Sequence, residues 1–151
     1  MSVDDECVIR RAQTSDFESI VRLLAAAQLP TDDLATAPGL QLWALAEQDA
    51  LVGAIGLERR GTGGLLRSLV IAPSHQRRGL GVRLVRAVER ESRFAGVELL
   101  VLLTETAEPF FHRLGYQVVD RQAVPDELKQ SAEFQALCPA SAVCMNKSFI
   151  H

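Results

Sequence analysis

The segment whose residue types most clearly predict chemistry runs from Arg67 to Gly81. It starts as an apolar run typical of a strand, turns at Pro73, and continues as a basic loop from Gln76 to Gly81 that leads into an amphipathic stretch. Glycines at 79 and 81 let main-chain N–H groups converge without an obstructing Cβ, and the start of a helix adds a positive dipole. The loop therefore predicts a site for a diphosphate group.

Two common nucleotide motifs do not fit this loop. A mononucleotide P-loop needs Lys followed by Ser or Thr after its second glycine, where this chain has Val82 and Arg83. The Rossmann fingerprint needs a third glycine, where this chain has Leu84, and no strand–helix–strand unit precedes the loop. The ligand is therefore expected to be a diphosphate held in another way.

The elements that must position this loop follow from hydrophobic periodicity and from turn residues. Strands are predicted at Cys7 to Ala12, Leu42 to Glu47, Leu51 to Arg59, Leu65 to Ala72, Val97 to Leu103, Gln117 to Arg121 and Ser141 to Phe149. Helices are predicted from a capping box at Ser15 and Glu18 up to Pro30, and at Gly81 to Phe94, Ala107 to Leu114 and Asp126 to Gln130. This order predicts a mixed α/β or α+β sheet with helices packed against it.

Length and composition limit the class of protein. The chain has 151 residues, of which 48% are hydrophobic and 23% charged, which predicts one soluble globular domain over residues 1–151. The net charge of -3 argues against a nucleic-acid partner, and no apolar run approaches the ~20 residues that span a bilayer. The acidic N-terminus and an odd count of three cysteines predict a reduced, cytoplasmic protein without a membrane partner.

The loop and its surroundings resemble a known family. Gln76 to Gly81, behind a strand that ends Leu-Val-Ile-Ala-Pro, resembles the acetyl-CoA-binding motif Q/R-x-x-G-x-G/A of the GCN5-related N-acetyltransferase (GNAT) superfamily. Gly53 to Gly56 resembles the third strand of that family, and Phe110 to Tyr116 its penultimate helix with a glycine-aromatic ending. The resemblance implies a single-domain α/β (α+β) GNAT fold with six or seven mostly antiparallel strands, splayed between strands 4 and 5.

The resemblance also implies where acetyl-CoA binds as the acetyl donor. Strand 4 is expected to pair with the pantetheine arm, the loop amides to hold the diphosphate, and strand 5 to diverge from strand 4 after Leu99. The thioester is then expected near Thr104. The residues implied for cofactor binding are Leu69, Val70, Ile71, Gln76, Arg77, Arg78, Gly79, Leu80, Gly81 and Val82.

The acceptor is suggested by the segment after the fifth strand. Many family members carry a tyrosine as general acid where this chain has Phe111, so that mechanism is not expected here. Thr104 and Thr106, followed by two aromatic residues, resemble glutamate N-acetyltransferases and the small members associated with arsenic resistance. The resemblance implies a small amino-acid-like acceptor, with Thr104 donating a proton to coenzyme A and Thr106 contacting the substrate.

Other roles remain as alternatives. Arg67 is a candidate to bind an anionic acceptor, or else forms an exposed cross-strand ion pair with Glu58. Glu58 and Glu105 are the candidates for the catalytic base, while Glu105 could instead be a charge favouring a helix N-terminus. The alternative functions are acetylation of protein or peptide N-termini and a catalytically silent acyl-CoA-binding module.

No metal site is expected. A soft metalloid such as arsenic needs two or three converging thiolates, and Cys7 lies far in sequence from Cys138 and Cys144. The expected partner is a small amine, and the family resemblance is compatible with a homodimer.

Overall fold

The computed structural model describes residues 6–137 and 139–150. The strands are β1 (Cys7–Arg11), β2 (Leu40–Glu47), β3 (Ala50–Arg60), β4 (Gly63–Ile71), β5 (Leu99–Thr104), β6 (Gln117–Val118) and β7 (Val143–Ser148). The α-helices are α1 (Phe17–Ala26), α2 (Leu80–Phe94), α3 (Glu108–Arg113) and α4 (Asp126–Lys129), followed by one π-helical turn, Glu133–Leu137. All strands form one sheet in the order β1-β2-β3-β4-β5-β7-β6, which confirms the predicted mixed α/β class.

The sheet splits at its one parallel pair, β4 and β5. Gly63 to Leu65 pair with Leu99 to Val101, and beyond this point the two strands run on unpaired. The prediction that they diverge after Leu99 was therefore wrong by two residues. Glycine at 64 explains the longer contact, because a Cβ there would lie 2.7 Å from Leu57 Cδ1 and 3.1 Å from Leu100 Cδ2.

Helices cover both faces of the sheet. Neighbouring strand residues point to opposite faces, and in β3 Ala54 packs in the cluster of α1 while Ile55 packs in the cluster of α2. The α2 side is the larger core, to which the helix contributes four residues that are less than 2% exposed: Leu80, Leu84, Val85 and Val88. This packing fixes the start of α2 against the end of β4.

Several predicted boundaries shift for local reasons. The box at the start of the first helix forms two residues earlier, where the Gln13 N–H donates to Asp16 Oδ2 at 2.7 Å and a 3₁₀ turn precedes α1. The fifth strand starts later, because the Val97 N–H still bonds the Ser92 carbonyl at the end of α2. Strand β6 is short, since Asp120 accepts from the Gln122 N–H and starts a 3₁₀ turn.

Within the described ranges, no helix is both long and apolar enough to cross a membrane.

Candidate active site

A cleft of about 680 Å³ opens where β4 and β5 separate. One wall is the end of β4, from Leu66 to Ile71, and the other is the end of β5 with the following turn, from Leu102 to Ala107. The cleft is closed by the loop after α1, residues 27–32, and on the far side by Glu133, Pro139 and Ala142. The split in the sheet therefore creates a concave site with a strand edge along it.

The free edge of β4 can pair with an extended ligand. The Ala72 N–H donates to the Val52 carbonyl at 2.8 Å, so the next opposed pair, Gly53 and Ile71, is not hydrogen-bonded to each other. The Ile71 N–H therefore points away from β3, toward the cleft. By the same alternation, the N–H and C=O of Val70 point toward β3. Val70 lines the cleft, but its backbone groups are not directed to a ligand there.

A β-bulge shapes this edge. Ala54 pairs with Val70 and Gly56 with Arg67, so two β4 residues, Ser68 and Leu69, oppose the single residue Ile55. Ser68 has φ +60°, a left-handed conformation that is uncommon for residues other than glycine. Such bulges change the direction of a strand and of its backbone groups, and this one lies in the wall of the cleft.

The loop predicted to bind the diphosphate has unpaired main-chain amides. The first amides of a helix lack partners within the helix, and in the described chain no backbone carbonyl accepts from the amides of residues 76–82. Arg77 and Gly79 have φ +68° and +76°, and space is open within 4 Å of a Cβ built on Gly79. Arg77 and Arg78 are exposed there and add positive charge. The loop therefore fits an anionic group at the start of a 15-residue helix.

Side chains on both sides of the turn hold this loop in place. Gln76 Nε2 donates to the Ile71 carbonyl at 3.0 Å, which fixes the loop to the end of β4. His75 Nε2 lies 3.2 Å from Glu47 Oε1 on β2, and its Nδ1 lies 2.7 Å from Ser74 Oγ. The Gln76 side chain therefore fixes the loop, while its main-chain amide has no backbone partner among the described residues.

Thr104, Glu105 and Thr106 all line the cleft. The Ala107 N–H donates to Thr104 Oγ1 at 3.0 Å, so the hydroxyl accepts at the start of α3 and its own proton stays available to donate. Glu105 and Thr106 are exposed, and no ion pair of Glu105 occurs in the described part of the chain. A proton donor and a carboxylate therefore lie side by side at the mouth of the split.

Arg67 and Glu58 belong to a buried ion-pair cluster. Glu58 is 0% exposed and does not line the cleft, and its carboxylate accepts from Arg67 Nη1 at 3.1 Å and from Arg60 Nη2 at 2.7 Å. Arg67 also contacts Asp33 and Glu133, and its side chain is 1% exposed. The alternative that Arg67 pairs with Glu58 across the strands is confirmed, but the pair is buried and not exposed, because two further carboxylates cover the guanidinium.

Comparison with known proteins decides the family. The family model described as "Acetyltransferase (GNAT) domain" matches residues 11–130, most of the chain. The chain belongs to the GNAT acetyltransferase family. It is accordingly an N-acetyltransferase with acetyl-CoA as donor. That the loop amides and the β4 edge hold the coenzyme A stays a prediction. No protein of curated function matches the sequence.

Solved GNAT structures share the fold at low sequence identity. An N-acetylglutamate synthase from Neisseria gonorrhoeae, complexed with coenzyme A and N-acetyl-glutamate, is 18% identical with a TM-score of 0.81 over 96% of this chain. This chain covers only 35% of that enzyme. A GNAT-family acetyltransferase from Staphylococcus aureus Mu50 is 15% identical with a TM-score of 0.80. The match covers 95% of this chain and 99% of that one. Rv2747 from Mycobacterium tuberculosis, in complex with CoA and NLQ, is 24% identical with a TM-score of 0.78, again over 95% and 99%.

The GNAT cleft of this chain holds no phenol among the residues that line it. Phe111, where the resemblance leads us to expect the family's general-acid tyrosine, lines the cleft. The single tyrosine, Tyr116, is 0% exposed and donates to Glu89 Oε2 at 2.9 Å, an oxygen that also accepts from Lys147 Nζ at 3.0 Å. Burial, together with the charge of Glu89, raises the pKa of Tyr116 far above its ordinary value. Tyr116 therefore has a structural role.

The two described cysteines, Cys7 and Cys144, are buried in different places and form no disulfide with each other. Cys7 packs on β1 in the main core, whereas Cys144 packs on β7 in a separate cluster with Leu65 and Val101. Burial raises the pKa of Cys144 to about 11, so its thiolate form is scarce at neutral pH. Cys138 lies outside the described residues.

Sequence reasoning missed the residues that close the cleft. Asp32, Asp33 and Glu133 were not among the candidates, yet Asp32 and Glu133 line the cleft and Asp33 contacts Arg67. These residues lie in irregular segments without a recognisable motif. The one available signal was an arginine in a strand otherwise free of charge, since a buried charge requires a partner.

Proposed function

We propose that this protein transfers the acetyl group of acetyl-CoA to the amine of a small, amino-acid-like acceptor. The observation that carries the proposal is one cleft that has the free edge of β4 along one wall and Thr104 and Glu105 on the other. It reaches Gln76, the first residue of the loop whose amides have no backbone partner among the described residues. We define the acceptor side of the cleft as the part beyond Thr104, lined by Thr31, Asp32, Glu105, Thr106 and Glu133.

Each chemical step has a candidate residue in this arrangement. The acceptor nitrogen attacks the thioester carbonyl, forming the C–N bond, and the C–S bond then breaks. The Ile71 N–H, which points away from β3, is the proposed donor to the negative charge that develops on the carbonyl oxygen. Thr104 donates its proton to the departing sulfur, and Glu105, directly or through a water, accepts the proton that the amine loses. Transfer of that proton from Glu105 to the Thr104 oxygen, again through water, restores both groups. Glu58 is not assigned as the base, because it is fully buried under Arg60 and Arg67.

The packing of the loop over residues 31–39 supports a small acceptor over a polypeptide. A protein N-terminus would need an open groove along residues 31–39. Leu34 of this loop is 5% exposed and packs against Ile20 and Leu24, while Asp33 is bonded to Arg67. A protein of the same fold is complexed with N-acetyl-glutamate, an acetylated amino acid, which adds support for an amino-acid-like acceptor.

The proposed acceptor can be identified with a thiol-release assay. Acetyl-CoA would be incubated with glutamate, glutamine, lysine, arsenic- and phosphorus-bearing glutamate analogues and a short peptide, and acetylated products would be identified by mass spectrometry. Acetylation of at least one small acceptor, with little on the peptide, is the expected result. Activity on the peptide alone would favour N-terminal acetylation, and tight acetyl-CoA binding without any acetylated product would favour a silent module. The arsenic-bearing analogue tests the link to arsenic resistance.

A further inference from the structure

Arg67 is buried at the point where three parts of the chain meet behind the acceptor side. We propose that it is a positioning residue: its guanidinium ties Asp33 of the α1–β2 loop and Glu133 of the π-helical turn to β4, and so fixes both walls of the acceptor side. The inference rests on the proposed function, because it assigns that side of the cleft to the acceptor. It gives Arg67 a role other than direct contact with an anionic substrate.

All three nitrogens of the Arg67 guanidinium have protein partners. Arg67 Nη1 and Nη2 donate to the two oxygens of Asp33, both at 2.6 Å, which is the bidentate arrangement that holds a carboxylate in one orientation. Nη1 also donates to Glu58 Oε1 at 3.1 Å, and Nε donates to Ser68 Oγ at 3.2 Å. Glu133 Oε2 lies 3.0 Å from Nε, which is an ion-pair contact. With 1% of its side chain exposed, Arg67 has little surface to offer an acceptor carboxylate.

The charges agree with a structural connection. Burial alone would lower the pKa of Arg67, but the hydrogen bonds to Asp33 and the charges of Glu133 and Asp33 outweigh it and raise the pKa. The hydrogen bonds from Arg67 lower the pKa of Asp33. Both groups are therefore ionised at neutral pH. The cluster contains three carboxylates and the two guanidinium groups of Arg60 and Arg67, so it offers no excess positive charge to an anionic acceptor.

The two segments that Arg67 contacts, the α1–β2 loop and the π-helical turn, are not held in position by strand pairing. Thr31 and Asp32, which line the acceptor side, directly precede Asp33 in a loop without strand pairing, and Glu133 itself lines the opposite wall. Arg67, by contrast, belongs to β4, which is paired with β3 on both sides of the bulge. The ion pairs of Arg67 therefore hold two walls of the cleft, neither of which belongs to the sheet, in a fixed position relative to β4. A displacement of about 1 Å in such walls is enough to disturb reactive geometry.

The test compares the amide variants Asp33→Asn and Glu133→Gln with a matched control, Asp16→Asn. Asp16 also forms a two-point ion pair with an arginine, Arg10, and its side chain is 10% exposed against 12% for Asp33, but it lies outside the cleft. All three variants are expected to lose stability. Only Asp33→Asn and Glu133→Gln are expected to raise the acceptor KM, by about tenfold, while the Kd of acetyl-CoA stays unchanged.

Arg67→Lys supplies a second test that does not depend on turnover. Lysine keeps the charge but cannot form the bidentate fork. We expect faster hydrogen exchange in both residues 29–34 and residues 131–137 of Arg67→Lys, and no such change in Asp16→Asn. Acceptor KM values equal to that of the unmodified protein in both amide variants, or exchange that changes in neither segment of Arg67→Lys, would overturn the proposal. If the unmodified protein acetylates no amine, the proposed function fails, and hydrogen exchange still decides whether Arg67 joins the two walls.

Discussion

At the scale of single residues, we propose that the Thr104 hydroxyl has both a structural and a catalytic function. Its oxygen accepts the Ala107 N–H at 3.0 Å, and this contact fixes the side chain at the end of β5. The Thr104 hydroxyl keeps its own proton, because an oxygen that accepts a hydrogen bond from one partner can still donate to another. Because Phe111 supplies no hydroxyl, Thr104 is the proposed donor to the leaving thiolate.

Replacing Thr104 with valine should therefore slow turnover without weakening the binding of acetyl-CoA. We expect kcat to fall by about two orders of magnitude, as is typical when a proton donor is removed. Thr104→Ser keeps the hydroxyl and should retain most of the activity, which separates the loss of the donor from a change of shape. Steady-state kinetics and calorimetric titration with acetyl-CoA measure both quantities. Equal kcat values for the valine and serine variants would remove Thr104 from the mechanism.

Single residues also show what the sequence can and cannot predict. Gly79 and Arg77 lie in a contiguous motif, and a motif is visible in the sequence because its function depends on local backbone conformation. The partners of Arg67 are 34 and 66 positions away, at Asp33 and Glu133, and only the folded chain brings them together. For this reason the cofactor side of the cleft was predicted in detail, and the acceptor side was not.

At the scale of elements, the two ends of α2 provide a matched pair of glycines. Gly79 precedes the helix with φ +76° and Gly96 follows it with φ +92°, and at both positions the space around a built Cβ is open within 4 Å. A side chain at either position carries the same kind of backbone strain, about 1 to 2 kcal/mol. Only the end at Gly79 has the unpaired amides.

Gly79→Glu and Gly96→Glu should therefore differ in ligand binding while they resemble each other in stability. A carboxylate at position 79 would lie where the diphosphate is expected, and repulsion at short range should raise the Kd of acetyl-CoA by about two orders of magnitude. The same change at position 96 should leave the Kd unaltered. Isothermal titration calorimetry measures the Kd and thermal unfolding the stability. Normal binding by Gly79→Glu would contradict the diphosphate assignment.

Element boundaries were predicted well where periodicity was strong and poorly where the chain changes direction. The run of buried residues on α2 gave its extent to within one residue, since Gly81 was predicted and Leu80 is observed as the first residue. The apolar run from Val97, in contrast, contains both a helix end and a strand start, because Val97 bonds back to Ser92 while its side chain enters the core. Hydrophobicity alone does not distinguish these two uses of a buried residue.

At the scale of the whole molecule, arginine–aspartate pairs connect irregular segments to the sheet in two places. Arg10 of β1 bonds Asp16 at the turn before α1, and Arg67 of β4 bonds Asp33 in the loop after α1. The two pairs therefore fix the chain before and after the same helix. Hydrogen bonds from the arginines are the largest cause that lowers the pKa of each aspartate, and the Gln13 N–H lowers the pKa of Asp16 further.

These lowered pKa values make stability depend on acid pH. A carboxyl whose pKa is lower in the folded state contributes stability above its unfolded pKa, about 3.9 for aspartate, and loses that contribution as the pH falls through the folded value. We therefore expect the free energy of unfolding to be nearly constant from neutral pH to about pH 5, and to decrease steeply below about pH 4. Both ion pairs weaken in this range as the aspartates take up protons.

The amide variants show which groups cause the decrease. Asp16→Asn and Asp33→Asn should each be less stable than the unmodified protein at neutral pH, and each should lose less stability on acidification, because the amide does not titrate. Asp49→Asn, in the exposed turn between β2 and β3, should follow the unmodified protein at every pH. Urea unfolding at a series of pH values gives these curves. If the curves for the Asp16 and Asp33 variants ran parallel to that of the unmodified protein below about pH 4, the acid sensitivity would have to arise from other carboxylates.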